Sequence, residues 1–322
     1  MRRSTVGTGP VCTAIRRAVG AHIGSGMVVA CSGGRDSMVM LHALCLAQVG
    51  PLHVITVDHQ LRPDARADAE WVVRVARSWG CPAELIAVTC DVAGDGVEGA
   101  ARHARYAALL RRGAELGASV ATGHTADDQA ETLLMRLSTG VGVHGARGIL
   151  RRRPGVVRPM LMVTRSEIAE HAERFGVPWR EDPTNTSDKF LRNRVRHGAL
   201  EGLDVALGPH WRAGTARAAS RLQSDCEALD YLLSGWLEES TRPESPLALS
   251  RTALLKAPEG LRRLALRHLW AEAISAPMPR GGGKHLDLAL MRLHHTGQWQ
   301  LPGGWLLRHS RDWVEIVADP SR

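Results

Sequence analysis

The sequence predicts an α/β fold, a parallel sheet with helices on both faces, followed by a second, mainly α-helical domain. Three observations predict it. Up to about residue 160, short apolar runs rich in Val and Ile alternate with amphipathic stretches, and such alternation builds parallel sheets. A small glycine turn, Ser32-Gly33-Gly34, separates the first apolar run from the helical pattern after it. From about Leu200 the periodicity becomes helical, in long stretches. The expected division is an amino-terminal domain over 1–200 and a carboxyl-terminal domain over 201–322.

Four strands are expected: Met27–Cys31, Leu52–Val57, Ala83–Val88 and Ser119–Thr122. Between the second and third, Trp71, Val75 and Trp79 recur at helical spacing and Gly80 stands as a stop. That Trp face is read as core. After Leu200, "WRAGTARAASRLQSDCEALDYLLSGWLEES", "ALLKAPEGLRRLALRHLWAEAI" and the stretch after "GGGKH" read as helices, and "GQWQLPGGWLLRHSRDWVEIV" as a terminal hairpin. In open parallel sheets ligands bind at the carboxyl ends of the strands, so the residues that leave those ends are the candidate site.

Composition narrows the class. The chain has 322 residues, 44% of them apolar, enough for more than one core. No apolar run approaches the ~18 residues of a membrane helix, and the basic start "MRRSTVGTGPVCTAIRRAVG" has no apolar export segment. The six Cys are scattered without a CxxC pair, which speaks for reduced thiols and against a zinc ribbon, an iron–sulfur cluster or a disulfide framework. A cytoplasmic protein with no membrane association is expected. Net charge is +8, but its distribution matters more. Basic residues outnumber acidic ones 15 to 13 over 1–150, 11 to 6 over 151–200, and 15 to 14 over 201–322. The excess in the middle stretch fits either a polyanion partner or a solvated basic face.

Five motifs carry chemistry. In Ser32-Gly33-Gly34-Arg35-Asp36-Ser37, small residues allow backbone N–H groups close to an anion, and the helix start adds partial positive charge. Ser32 and Ser37 supply hydroxyls, and Asp36 suits a Mg²⁺ that accompanies a polyphosphate. No Lys follows the glycines and no third glycine is present, unlike a P-loop or a dinucleotide fingerprint. After the second strand come Asp58, His59 and Arg62, with Asp64 as a helix cap. In "ARHARY", Arg102, Arg105 and Tyr106 share one helix face, which spacing alone describes as a solvated basic face. After the fourth strand, "TGHTADDQAET" brings His124, Asp127, Asp128 and Glu131 to a strand end and helix start, where acids suit the helix dipole or a metal–triphosphate site. Last, a turn Asp182-Pro183-Thr184-Asn185 precedes the cluster Arg192, Asn193, Arg194 and Arg196, with His197 next, which by itself suggests polyanion binding.

These motifs, in this order, resemble the PP-loop ATP pyrophosphatase superfamily, through SGGRDS. More narrowly they resemble the tRNA(Ile)-lysidine synthase family, through VDHQLR, ARHARY, TGHTADDQAET, the RPM at Arg158, EDPTN and RNRVR, over about residues 25–200. The helical remainder fits that family's appended domain without a sharp motif, and nothing resembles the further carboxyl-terminal domain of its longer members. The resemblance implies a PP-loop (adenine nucleotide alpha hydrolase-like, Rossmann-like) fold and a reaction. ATP adenylates the C2 carbonyl oxygen of the wobble cytidine in the isoleucine tRNA with anticodon CAU. The side-chain amine of L-lysine then attacks C2, AMP leaves, and decoding changes from AUG to AUA.

It also implies roles. Ser32, Gly33, Gly34, Arg35, Asp36, Ser37, Asp58 and His59 hold ATP, and Asp36 and Asp128 hold Mg²⁺. Asp36, Arg105, His124 and Asp128 form the catalytic set. Arg192, Asn193, Arg194 and Arg196 grip tRNA, and Glu131 is the lysine-binding candidate. A homodimer is compatible with it. Position 125 is Thr where many members carry a second His, so proton transfer at that position is not expected. The competing reading is a PP-loop tRNA 2-thiolation enzyme, which would adenylate a base and then add sulfur, commonly with paired Cys. PP-loop amide-forming enzymes lack their usual glutaminase signature here, and intact SGGRDS and DDQAET argue against a non-catalytic RNA-binding relic.

Overall fold

The computed structural model describes residues 9–20, 26–60, 65–89, 96–181, 191–275 and 282–320. The chain divides into two compact units, Met1–Gln223 and Ser224–Arg322.

The first unit runs α1 (Pro10–Val19), β1 (Met27–Ala30), α2 (Arg35–Ala47), β2 (Leu52–Asp58), α3 (Ala65–Ser78), β3 (Ala83–Ala87), α4 (Gly96–Glu115), β4 (Ser119–Thr122), α5 (Ala126–Leu137), α6 (Val143–Ala146), β5 (Arg152–Arg153), β6 (Val156–Val157) and α7 (Arg165–Phe175). The four expected strands are present, each end within a residue of its expected place. With β5 and β6 they form a six-stranded sheet in the order β3-β2-β1-β4-β6-β5. β1 pairs in parallel with β2 and β4, β2 with β3, and β4 with β6, while β5 runs antiparallel to β6.

Strand alternation explains the two cores. Val29 and Val54 face one core with Ile15, Leu41, Val72 and Ile168 from α1, α2, α3 and α7. Val28 and Ile55 face the other, with Tyr106 and Leu109 of α4. A strand buried on both faces reads as an unbroken apolar run, as Met-Val-Val-Ala does. Each fully buried Val is worth ~1.5–3 kcal/mol, so β1 gives the glycine turn a firm base. Trp71 and Val75 of α3, with Trp79 directly after it, pack on the first core, as their spacing predicts. The fold also joins what the sequence separates: Cys45 on α2 and Cys81 before β3 lie with sulfurs 3.5 Å apart.

A π-helical turn, Val195–Ala199, links α8 (Leu191–Arg194) to α9 (Leu200–Leu207), and α10 (Trp211–Ser240) follows. The first unit therefore extends past the boundary expected at residue 200. One physical reason is Gln223 of α10, which donates to the carbonyls of Arg147 and Ile149 at 2.9 Å each and accepts from the Arg151 amide at 3.1 Å. The arginines of α8 and the π turn supply the other, described below.

The second unit continues from α10 with β7 (Thr241–Arg242), β8 (Ser245–Ser250), α11 (Arg251–Lys256), α12 (Glu259–Ile274), α13 (Gly282–Met291), β9 (Gly297–Leu301), β10 (Trp305–His309) and β11 (Trp313–Ala318). The expected hairpin is part of a five-stranded antiparallel sheet, β7-β8-β11-β10-β9. Its core holds Leu266, Leu269 and Trp270 of α12 with Leu307, Val314 and Ile316 of the sheet. Among the described residues, no helix is long and apolar enough to cross a membrane.

Candidate functional site

Strand order reverses at β1, which lies between β2 and β4, and such a switch point opens a crevice at the carboxyl ends of the strands. Ala30 is opposite Thr122, so the glycine turn and the segment Gly123–Thr125 leave from adjacent strand ends. They touch closely: a Cβ on Gly123 would lie 3.4 Å from the Ser37 backbone. Gly33 has φ +87°, the left-handed region that glycine tolerates. The Ser37 hydroxyl donates to the Gly34 carbonyl at 2.9 Å and accepts from the Ser32 amide at 3.1 Å, with the Ser32 hydroxyl 3.3 Å away. These bonds set the loop shape. The start of α2 has no side-chain cap, so its first N–H groups suit an anion.

The acids gather at the start of α5. Thr125 caps this helix in a capping box with Asp128, whose Oδ2 accepts from the Thr125 amide at 2.8 Å. That is the role of Thr125, and the T-x-x-D spacing is its sequence signal. Asp127 serves the frame: it accepts from the Arg165 amide at 2.8 Å and from Arg212 Nη1 at 2.6 Å. Asp128 Oδ1 faces Arg192 Nη2 at 2.9 Å and Arg165 Nη2 at 3.4 Å. Glu131, with a side chain 0% exposed, takes Arg192 Nε at 2.6 Å, Arg196 Nε at 2.7 Å and Arg165 Nη1 at 3.3 Å.

This differs from the expectation for the basic stretch. Arg192 and Arg196 turn their guanidiniums onto buried acids, because a carboxylate as enclosed as Glu131 requires paired charge. Arg194 is exposed. Glu131, the lysine-binding candidate, is surrounded by three arginines. Arg165 carried no expectation, yet it joins the whole cluster. Its signal was a cation in the first turn of a helix, against the dipole.

Burial works against charge on Asp128 and Glu131, but the arginines outweigh it and hold both below the usual carboxylate range. Burial pushes Asp36 up, opposed by Arg165 and reinforced by Asp128. Arg165 Nε is 3.8 Å from Asp36 and its Nη2 3.4 Å from Asp128, so one cation already bridges these two oxygen donors. Both are hard oxygen donors, the ligand type that a Mg²⁺ accompanied by phosphates and water would take. No group of three or more His, Cys, Asp or Glu able to hold a metal occurs among the described residues.

His124 leaves β4 with Nδ1 3.0 Å from the Thr122 hydroxyl. Burial, with Arg158 and Arg102 adding repulsion, depresses its pKa to about 3, so it is a neutral imidazole at pH 7. Asp58, 6% exposed, accepts from the Gln60 amide at 2.8 Å, and burial lowers the His59 pKa, with Arg105 adding to it. Arg105 and Arg102 lie over the Tyr106 ring, 5.7 and 5.3 Å from its centroid. Arg35 Nε is buried without a partner. Arg62, Asp64 and Asp182-Pro183-Thr184-Asn185 fall outside the described residues.

A parallel sheet that carries SGGRDS and an acid-bearing helix start on adjacent strand ends defines a PP-loop ATP-binding protein. The family model described as PP-loop domain matches residues 11–203. The chain is 39% identical to tRNA(Ile)-lysidine synthase of Thermobifida fusca (strain YX) over 96% of its length and 97% of that protein's. Against the same enzyme of Salinispora arenicola (strain CNS-205) it is 36% identical, over 92% and 93%. The chain belongs to the tRNA(Ile)-lysidine synthase family. Among solved structures it is similar to the U34-tRNA thiolase NcsA from Methanococcus maripaludis, with TM-score 0.54 and 18% identity over 66% of this chain and 78% of that one. That likeness is one of fold.

Proposed function

We propose that the chain ligates L-lysine to C2 of the wobble cytidine of a CAU-anticodon isoleucine tRNA at the expense of ATP. The observation that carries this reading is the contact of the SGGRDS loop with the strand end bearing His124 and Asp128, through Gly123 and Ser37, in a chain of this family. The uncapped start of α2, with Ser32, Gly33, Gly34, Arg35 and Ser37, would hold the ATP phosphates, and Asp58 and His59 would border the nucleotide. The cytidine O2 attacks the α-phosphorus, the bond to the β-phosphate oxygen breaks, and pyrophosphate leaves. Asp36 and Asp128 would hold a Mg²⁺ that neutralises charge on that leaving group. The lysine amine then attacks C2 and loses a proton, the C2–O bond breaks, and AMP departs with the oxygen.

Much of the acceleration in such a site is position and electrostatics. Arg105 would steady the nucleotide or the extruded base, since a base must leave its stack to react. His124, neutral at pH 7, contributes hydrogen bonding beside the reacting phosphate and no charge of its own. Glu131 would orient the lysine ammonium, an exchange of one cation for another at a carboxylate that arginines now cover. Arg194 and Asn193, with Arg192 and Arg196 when released from the acids, would grip the tRNA backbone. The compartment would be the cytoplasm, where tRNA and ATP meet, and a homodimer is the assembly that sedimentation would test.

The decisive assay supplies Mg-ATP, lysine and a transcript of the tRNA to the purified chain and digests the product for mass spectrometry. A nucleoside heavier by one lysine residue is expected. Sulfur incorporation would establish the thiolase reading instead.

A further inference from the structure

Four guanidiniums converge on one tyrosine beside the site and none of them is used by the acid cluster. Arg102 and Arg105 come from α4, Arg153 from β5, and Arg158 from the turn after β6. The Arg153 Cζ lies 4.3 Å from the Tyr106 ring centroid, Arg102 5.3 Å and Arg105 5.7 Å. Arg158 is 6% exposed and Tyr106 8%. Arg158 Nη1 donates to the Leu150 carbonyl at 2.6 Å, its guanidinium also reaches the Tyr106 side chain, and its Nε is buried without a partner. Among the described residues no carboxylate pairs with any of the four.

Arg158 is a buried cation, and a basic group this enclosed is ordinarily paired, whereas Arg105 is half-buried and Arg102 and Arg153 reach solvent, so the cluster runs from the interior to the surface. The ring accounts for part of the arrangement, since a π face attracts cations. It supplies no negative charge to offset Arg158. The cluster is also close enough to His124 and His59 for its charge to oppose their protonation. Asp128 acts on His124 with the opposite sign. Val157 is opposite Ala121, so Arg158 leaves β6 beside the β4 end from which His124 leaves, and the strand ends carry both acidic and basic groups. The acidic groups suit a polyphosphate that brings its own cation. The basic groups suit an anion without one.

We infer that Arg102, Arg153 and Arg158, with Tyr106 holding them in place, seat a phosphodiester of the RNA next to the reacting base, separate from the loop for the ATP phosphates. The inference rests on the reading that the chain acts on a tRNA base. A nucleotide flipped from its stack displaces its flanking phosphates with it, and planar guanidinium forks bind phosphate oxygens in pairs. A seated phosphate fixes the base beside His124 before chemistry begins.

The test uses the full chain carrying Arg102→Gln and Arg153→Gln, both exposed positions, with thermal melting to confirm the fold. Binding of the CAU-anticodon isoleucine tRNA transcript should weaken about tenfold, with the slope of log K against log salt shallower by about one to two units. Mg-ATP affinity should not change. A transcript with an uncharged methylphosphonate at the phosphates flanking the wobble base should lose a similar factor with the unsubstituted chain and almost none with the variant. Arg102→Lys with Arg153→Lys should recover most of the binding. Unchanged tRNA affinity, a methylphosphonate penalty equal in both proteins, or weakened ATP binding in place of RNA binding would each overturn the seat. Lysidine formation by the unsubstituted chain separates the two readings. Product together with unchanged RNA affinity in the variant removes the seat alone, and absence of product removes the ligase reading.

Discussion

Replacing Glu131 by Gln tests whether the arginine cluster on α5 is a buried electrostatic unit. The side chain keeps its size, so packing is preserved and only charge and acceptor capacity change. Three guanidinium contacts are at stake, from Arg192 at 2.6 Å, Arg196 at 2.7 Å and Arg165 at 3.3 Å, on a side chain 0% exposed. Removing one partner from a buried charged set costs ~3–5 kcal/mol, and the acceptor that Gln retains reduces this to ~2–4 kcal/mol. In a unit of this size each kcal/mol moves the melting temperature by ~2–4 °C, so a fall of ~5–15 °C is expected. Circular dichroism melts at two salt concentrations provide the assay, because a buried set is screened little. Adding Arg196→Gln should cost less in the Glu131→Gln background than alone, by ~1 kcal/mol or more. A melting temperature within ~1 °C of the original, or a loss that disappears in high salt, would mean that these are surface pairs of the weak kind, and the argument from enclosure would be refuted.

Two other predictions follow from single residues. Asp36→Ala should abolish tRNA-dependent AMP formation while the melting temperature stays within a few degrees, since Asp36 has only a 3.8 Å approach to Arg165 to lose; turnover that persists would remove Asp36 from the mechanism. The His42–His171 pair, Nδ1 to Nε2 at 3.0 Å between α2 and α7, supplies a pH dependence. Burial, with His42 and Arg174 adding to it, depresses the His171 pKa to about 4. The unfolded chain then binds more protons between the ordinary histidine value near 6.5 and about 4. Stability should fall as pH drops through that window, by up to ~3 kcal/mol. Urea titrations from pH 7 to 4 should show this acid limb, and His171→Leu should flatten it; an equal limb in both proteins would place the proton uptake elsewhere.

Much of the first unit was legible because its signals are local. Met27–Ala30 is apolar on both faces, the glycine turn follows it at once, and the acids of α5 stand directly after β4. Those elements need only sequence neighbours to declare themselves. The second sheet was less legible. The β9–β10 hairpin has its turn residues in sequence, whereas β8 becomes a strand by pairing with β11, Leu249 opposite Val314, a partner distant in the chain. The domain boundary moved for the same reason: α8 and the π turn are tied to the first unit by arginines whose carboxylates lie on α5.

The sequence by itself determined the parallel sheet, the glycine turn after its first strand, the acidic helix start and the family to which they point, since each follows from residue type and spacing along a short segment. Only the tertiary structure decided what the charges do. Arg165, Arg192 and Arg196 meet Glu131, and Arg153 and Arg158 meet Tyr106, across separations no periodicity encodes. Which cation neutralises which acid depends on where the fold removes both from water, and burial is a property of the assembled chain and not of any residue in it.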